Sequence, residues 1–97
     1  MSTVISPLSV VADGVSLGEG SVVEEFCVIG RSGPTGEKTV IGDGATLRTH
    51  TVLYAGNTIG PRFATGHHAL VRESNTIGEN VSIGSLSVVE HHVTLGD

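Results

Sequence analysis

Aliphatic residues recur along this chain every six positions. Counting from Ile5, positions 5, 11, 17, 23, 29, 35, 41, 47, 53, 59, 65, 71, 77, 83, 89 and 95 share one phase, and of these sixteen only Thr35 and Thr65 are not Val, Ile or Leu. Those three residue types make up about 28% of the chain, so chance would place roughly four or five of them in the series rather than fourteen. Nine of the fourteen glycines fall one place after these positions, and the phase never slips. The stretch Ile77-Gly78-Glu79-Asn80-Val81-Ser82-Ile83-Gly84 shows the unit most plainly: aliphatic, glycine, two polar residues, a small or β-branched residue, any residue. A period of six fits neither an amphipathic helix nor a heptad coil. It fits a β-solenoid of short strands joined at tight corners, where glycine and small polar residues relieve the backbone.

This spelling resembles the left-handed parallel β-helix of the hexapeptide-repeat acyltransferases, in which three hexads make one triangular coil. The resemblance covers the whole chain and implies an all-β fold, a left-handed parallel β-helix of about five coils forming a single domain over residues 1–97. The pattern fades only at Arg31-Ser32-Gly33-Pro34-Thr35-Gly36-Glu37-Lys38, which still occupies the number of residues the missing beat requires. We read 31–38 as a loop pushed out of the solenoid, and such loops often line binding sites.

With three hexads per coil, residues eighteen apart stack about 4.8 Å from one another. His50 then lies under His68 and Thr49 under His67, all at corner slots. Tyr54, Arg72 and Glu90 form an outward column in which a cation can sit against a ring and pair with a carboxylate. Glu73 lies below His91 and Ser74 below His92. Asn57 and Asn75 stack at inward slots, where their amides are expected to form a hydrogen-bonded ladder. Phe63, between Ala45 and Val81, is expected to fill the core.

Composition narrows the partners. A net charge of −5 with only five Lys and Arg argues against nucleic acid, which needs a basic track to displace phosphate counterions. The start, Met1-Ser2-Thr3-Val4-Ile5, lacks a basic region, and no apolar run approaches the roughly 20 residues that would span a bilayer. The expected setting is therefore cytoplasmic, with no membrane partner. At 97 residues and 9.9 kDa a solenoid is too thin to bury a large core alone, so it should oligomerise. The lone Cys27 occupies an inward small-residue slot and reads as a packed thiol that forms no disulfide.

Chemistry concentrates in Thr65-Gly66-His67-His68-Ala69-Leu70-Val71-Arg72-Glu73. This hexad replaces the inward aliphatic with Thr65 and sets two imidazoles at one corner, and broken local rules tend to mark sites. Histidine accepts a proton near neutral pH, as is required to deprotonate an amine or hydroxyl attacking a thioester. The segment, with Val52-Leu53-Tyr54-Ala55-Gly56 before it and Asn80-Val81-Ser82-Ile83-Gly84 after it, is similar to a stretch of the sugar and nucleotide-sugar N- or O-acetyltransferases of this group. That resemblance implies a homotrimer, acetyl-coenzyme A as cosubstrate in the groove between two subunits, and a corner histidine as general base. His67, directly after glycine, matches the family's position and His68 is an extra. Tyr54, Arg72 and Glu73 are the expected substrate contacts.

Two further readings stay open. One is a non-catalytic trimeric scaffold or interaction module, a shortened relative lacking the later coils from which family members draw much of their coenzyme groove. The other is a metal site like that of the carbonic anhydrases on this fold, which carry a further histidine five residues after their Gly-His pair. Here that place is Arg72, and zinc needs three protein ligands, so no metal is expected.

Overall fold

The structure, a computed structural model, describes residues 3–31, 38–90 and 93–96. Its strands are two to four residues long, because each hexad gives the chain room for only one short extended run before the next corner. Sheet A stacks β1 (Val4–Ile5), β4 (Val22–Val23), β7 (Thr46–Leu47), β10 (Ala64–Thr65) and β13 (Ser82–Ile83). Sheet B stacks β2 (Val10–Val11), β5 (Val28–Arg31), β8 (Val52–Tyr54), β11 (Leu70–Val71) and β14 (Val88–Val89). Sheet C stacks β3 (Val15–Leu17), β6 (Thr39–Ile41), β9 (Thr58–Ile59), β12 (Thr76–Ile77) and β15 (Thr94–Leu95). All pairings are parallel, and the three sheets wall a left-handed prism of five coils, with no helix among the described residues.

The phased aliphatics point inward. Ile29, Leu47, Leu53, Val71 and Phe63 are completely or almost completely buried, as are Val23, Ile41 and Ile77. Burying each such side chain is worth about 1.5–3 kcal/mol, and the stacked rows supply this coil after coil. Phe63 is the largest fully buried side chain, as its slot between Ala45 and Val81 requires. The glycines that follow the sheet C aliphatics share the corner leading to sheet A. There a Cβ on Gly42 would press on the backbone of Gly60 and Pro61, and one on Gly60 on the backbone of Gly78.

Register departs from eighteen at one place. Leu17 pairs with Ile41 and Ile29 with Leu53, a spacing of twenty-four in each case, whereas Ile41 pairs with Ile59 and Leu53 with Val71. Six residues between β5 and β6 therefore add no rung. The loop expected at 31–38 falls mostly on residues 32–37, outside the described residues.

The asparagine column differs from the amide-to-amide ladder expected. Asn57 Nδ2 donates to the carbonyls of Tyr54 (2.7 Å) and Arg72 (2.8 Å), while its Oδ1 accepts from the Asn75 backbone N–H at 3.0 Å. Asn75 repeats this one coil up, donating to Arg72 O and accepting from Val93 N. The side chains satisfy turning backbone, which has no neighbouring strand to pair with at a corner.

Candidate functional site

Between sheets A and B the chain turns a first corner five times, and the histidines sit on its third and fourth coils. His67 is exposed and clamped by the coils on either side. Its Nδ1 lies 2.7 Å from Thr49 Oγ1 below, and its backbone N–H donates to Ser85 Oγ above at 2.9 Å. Gly66 makes this fit, since a Cβ there would overlap Ser85. When the ring donates Nδ1–H to Thr49, Nε2 is left as the proton acceptor.

His68 is placed differently. Its ring stacks on that of His50, with centroids 4.3 Å apart and planes 6° from parallel, and His50 in turn rests on Phe26 at 5.2 Å. The ring nitrogens of two parallel, superposed imidazoles have lone pairs that run side by side, so this pair does not converge on one metal ion. Among the described residues no group of three or more His, Cys, Asp or Glu side chains is disposed to hold a metal; His91 and His92 lie outside them.

Thr65 has a structural reason to replace an aliphatic. Its hydroxyl accepts from the Arg48 backbone N–H at 3.1 Å and lies 2.8 Å from Thr51 Oγ1, which donates to the Arg48 carbonyl at 2.7 Å. One assignment satisfies every group, with Thr65 donating to Thr51. Both hydroxyls are buried, and together they pin the turn of residues 48–51 that carries Thr49 and His50. Cys27 lies in the same inward column, buried and with its Sγ 3.1 Å from the Arg48 carbonyl. Desolvation by burial pushes its thiol pKa above the ordinary value, as expected of a packed thiol.

Tyr54, Arg72 and Glu73 gather on a second corner, between sheets B and C. Arg72 lies over the Tyr54 ring at 5.5 Å and pairs with Glu73 at 3.2 Å and with Glu90 at 3.6 Å. One guanidinium thus lies between two carboxylates. Within one chain the expected base and the expected substrate contacts are thus on opposite edges of sheet B, with β11 between them. Thr49 and Ser85 were legible as column neighbours of His67, but their role as its anchors shows only in the geometry. Phe26 was missed, because it stacks with His50 across the spacing of twenty-four.

The same prism is found among solved structures. A chain in the crystal structure of the CcmM N-terminal domain in complex with CcmN superposes with a TM-score of 0.81 at 24% identity, covering 99% of this chain and 92% of that one. This protein is a hexapeptide-repeat β-helix. A histidine-to-asparagine variant of perosamine N-acetyltransferase from Caulobacter crescentus, in complex with CoA and GDP-perosamine, shares the β-helix at TM-score 0.68 and 26% identity over 98% of this chain. The acetyltransferase domain of PglB from Neisseria gonorrhoeae FA1090 does so at TM-score 0.67 and 19% identity over 98%. The hexapeptide β-helix described here spans about half the length of these two, 51% and 54%. No family model and no curated protein matches it in sequence. No helix among the described residues is long and apolar enough to cross a membrane.

Proposed function

We propose that this chain forms a cytoplasmic homotrimer that transfers an acetyl group from acetyl-coenzyme A to an amine or hydroxyl of a sugar or nucleotide sugar. The observation that carries this is His67: an exposed corner imidazole held through Nδ1 by Thr49. The likeness to an N-acetyltransferase in complex with CoA and a nucleotide sugar supports it at 26% identity. In the reaction the acceptor nitrogen or oxygen attacks the thioester carbonyl carbon while His67 Nε2 takes its proton. Collapse of the tetrahedral intermediate breaks the carbon–sulfur bond, and the imidazolium returns the proton to the departing thiolate. His68, committed to its stack with His50, does not serve as the base.

Acetyl-coenzyme A turnover with nucleotide-linked amino sugars, followed by thiol release, tests the reading. His67→Ala should lose about 10²- to 10⁴-fold in rate, the usual cost of removing a positioned base, and keep coenzyme binding. Should His68→Ala be the inactive variant and His67→Ala turn over normally, the wrong imidazole has been assigned. A second reading, a binding module without chemistry, is supported by the likeness to a CcmM N-terminal domain in complex with CcmN, which this chain matches over 92% of that domain's length. Wild-type protein that does not bind acetyl-coenzyme A would establish it instead.

A further inference from the structure

The hydrogen bond between Thr49 and His67 can run in two directions, and the two are not equivalent. Thr49 Oγ1 and His67 Nδ1 lie 2.7 Å apart, a distance that suits either atom as the donor. If Nδ1–H donates, the lone pair of the neutral ring is on Nε2, which can then take a proton. If the Thr49 hydroxyl donates, the ring proton sits on Nε2 and the ring is no base at that atom. A hydroxyl has one proton, so the first direction leaves the Thr49 O–H in want of an acceptor, and Oγ1 has no further hydrogen bond among the described residues. Register shows what lies beneath it. Val22 pairs with Thr46 and Val23 with Leu47, which puts Glu25 one rung below Thr49. The His50 N–H donates to the Glu25 carbonyl, the His68 N–H to that of Thr49 and the Leu86 N–H to that of His67. Glu25, Thr49 and His67 are therefore successive rungs of one column, about 4.8 Å apart. Glu25 is exposed, and its carboxylate has no hydrogen bond or ion pair among the described residues. Arg48, the cation of the neighbouring column, is paired with Glu24 at 3.4 Å. Pro7, which the register places below Glu25, has no N–H to offer.

We propose that Glu25 is a positioning residue that acts through Thr49: its carboxylate accepts from the Thr49 hydroxyl, Thr49 Oγ1 accepts Nδ1–H from His67, and the neutral imidazole is held in the tautomer whose Nε2 is open. The effect on turnover rests on the acetyltransferase reading; the tautomer does not. An ionised carboxylate can only accept. Set beneath Thr49 it draws the O–H downward and turns the oxygen lone pairs up toward the ring, whereas the reverse direction would leave the carboxylate against those lone pairs. When Nε2 takes a proton from the acceptor, the imidazolium keeps its Nδ1–H on Thr49, and neither Thr49 nor Glu25 gains or loses a proton. The insertion hides this column from the repeat. Eighteen residues on from Glu25 is Asp43, at the corner between sheets C and A, and only the spacing of twenty-four across β5 and β6 brings Glu25 under Thr49.

Nitrogen chemical shifts of His67 in histidine-labelled protein, assigned against His67→Ala and read at a pH where imidazole is neutral, report the tautomer without reference to activity. Wild-type protein should hold His67 mainly as Nδ1–H. Glu25→Leu, at an exposed corner away from the core, should keep the far-ultraviolet circular dichroism and move the tautomer ratio toward Nε2–H by about 5- to 10-fold, the effect of one charge-assisted hydrogen bond discounted for exposure. Thr49→Val should do at least as much, and the double variant should move no further than Thr49→Val alone, because the two residues act in series. Glu19→Leu, an equal loss of charge at another corner, should leave the ratio where it is. A wild type that is mainly Nε2–H overturns the proposal. So does a ratio unmoved by Glu25→Leu, one moved as far by Glu19→Leu, or a double variant shifted beyond Thr49→Val. With acetyl-coenzyme A and an acceptor, Glu25→Leu should lower kcat by about 2- to 5-fold and leave KM for the coenzyme unchanged, since only the open tautomer reacts; an unchanged kcat beside a shifted tautomer overturns the positioning role. A tautomer that follows Glu25 in a protein without turnover supports the relay and removes the acetyltransferase reading, and His67-dependent turnover with a tautomer indifferent to Glu25 does the reverse.

Discussion

Replacing Asn57 by leucine tests the account of the second corner at the point where it is most explicit. The side chain is fully buried and bonds three backbone groups, the carbonyls of Tyr54 and Arg72 and the N–H of Asn75. Leucine has the same branched outline but is larger, so no cavity opens, and the lost hydrogen bonds set the least cost of the change. The Arg72 carbonyl keeps Asn75 Nδ2 as a donor, which leaves the Tyr54 carbonyl and the Asn75 N–H stripped of their side-chain partners. An unsatisfied buried polar group costs about 1–3 kcal/mol, so Asn57→Leu, which leaves two, should destabilise by about 2–6 kcal/mol. For a chain of this size each kcal/mol moves the midpoint by about 4–8 °C, and thermal unfolding at fixed protein concentration should show a fall of at least about 8 °C. Asn57→Asp keeps the acceptor for Asn75 but loses both donors, and should also unfold early. A loss below about 0.5 kcal/mol in Asn57→Leu would mean that water reaches this corner and that the ladder is not what holds it.

Thr49→Val keeps the shape beneath His67 but removes its Nδ1 partner; one hydrogen bond of about 1–1.5 kcal/mol predicts kcat lower by about 5- to 10-fold with an unchanged KM for acetyl-coenzyme A, and Thr49→Ser should restore the rate. Cys27 should resist thiol reagents in the folded protein. Because burial raises its pKa above 9.0, the unfolded chain gives up the thiol proton first as pH rises, so this contribution to stability is complete below pH 9 and is lost above it; denaturant titrations across that range should show a slope that Cys27→Ala lacks.

The sequence carried the fold because a solenoid repeats one local decision. Every sixth position is inward, and the aliphatics at 5 through 95 announce this without reference to the rest of the chain. The stacking of His67 on Thr49 and of His68 on His50 followed from the same arithmetic, since both pairs lie above the insertion. For pairs that span it the arithmetic breaks. Six residues between β5 and β6 that add no rung set Phe26 against His50 and Glu24 against Arg48 at a spacing of twenty-four, and nothing in the hexad phase distinguishes a rung from a loop of equal length. The asparagine column was visible, but its hydrogen bonds run to backbone, because a corner carbonyl competes better for a buried amide than a second amide does. Thr65 broke the pattern visibly, yet its reason lies in Thr51, which no fixed spacing connects to it.

The position of the histidines along the prism follows from how such a fold holds a side chain still. A corner residue of a β-solenoid is supported by its own turn and by the coils directly above and below, so those of the end coils have support on one side only. His67 is on the fourth of five coils, with the Thr49 hydroxyl beneath it and the Ser85 hydroxyl above. The Thr65 and Thr51 hydroxyls lock the turn that carries Thr49 to the Arg48 backbone. Replacing an inward aliphatic with Thr65 forgoes roughly 1.5 kcal/mol or more of apolar burial, in a chain whose other described phased positions all keep theirs. That sacrifice has no use if the corner only turns the chain, because glycine-containing corners elsewhere in the prism turn it equally well. It has one if the imidazole must stay where a reacting group will meet it, since a base displaced by an ångström loses much of its effect.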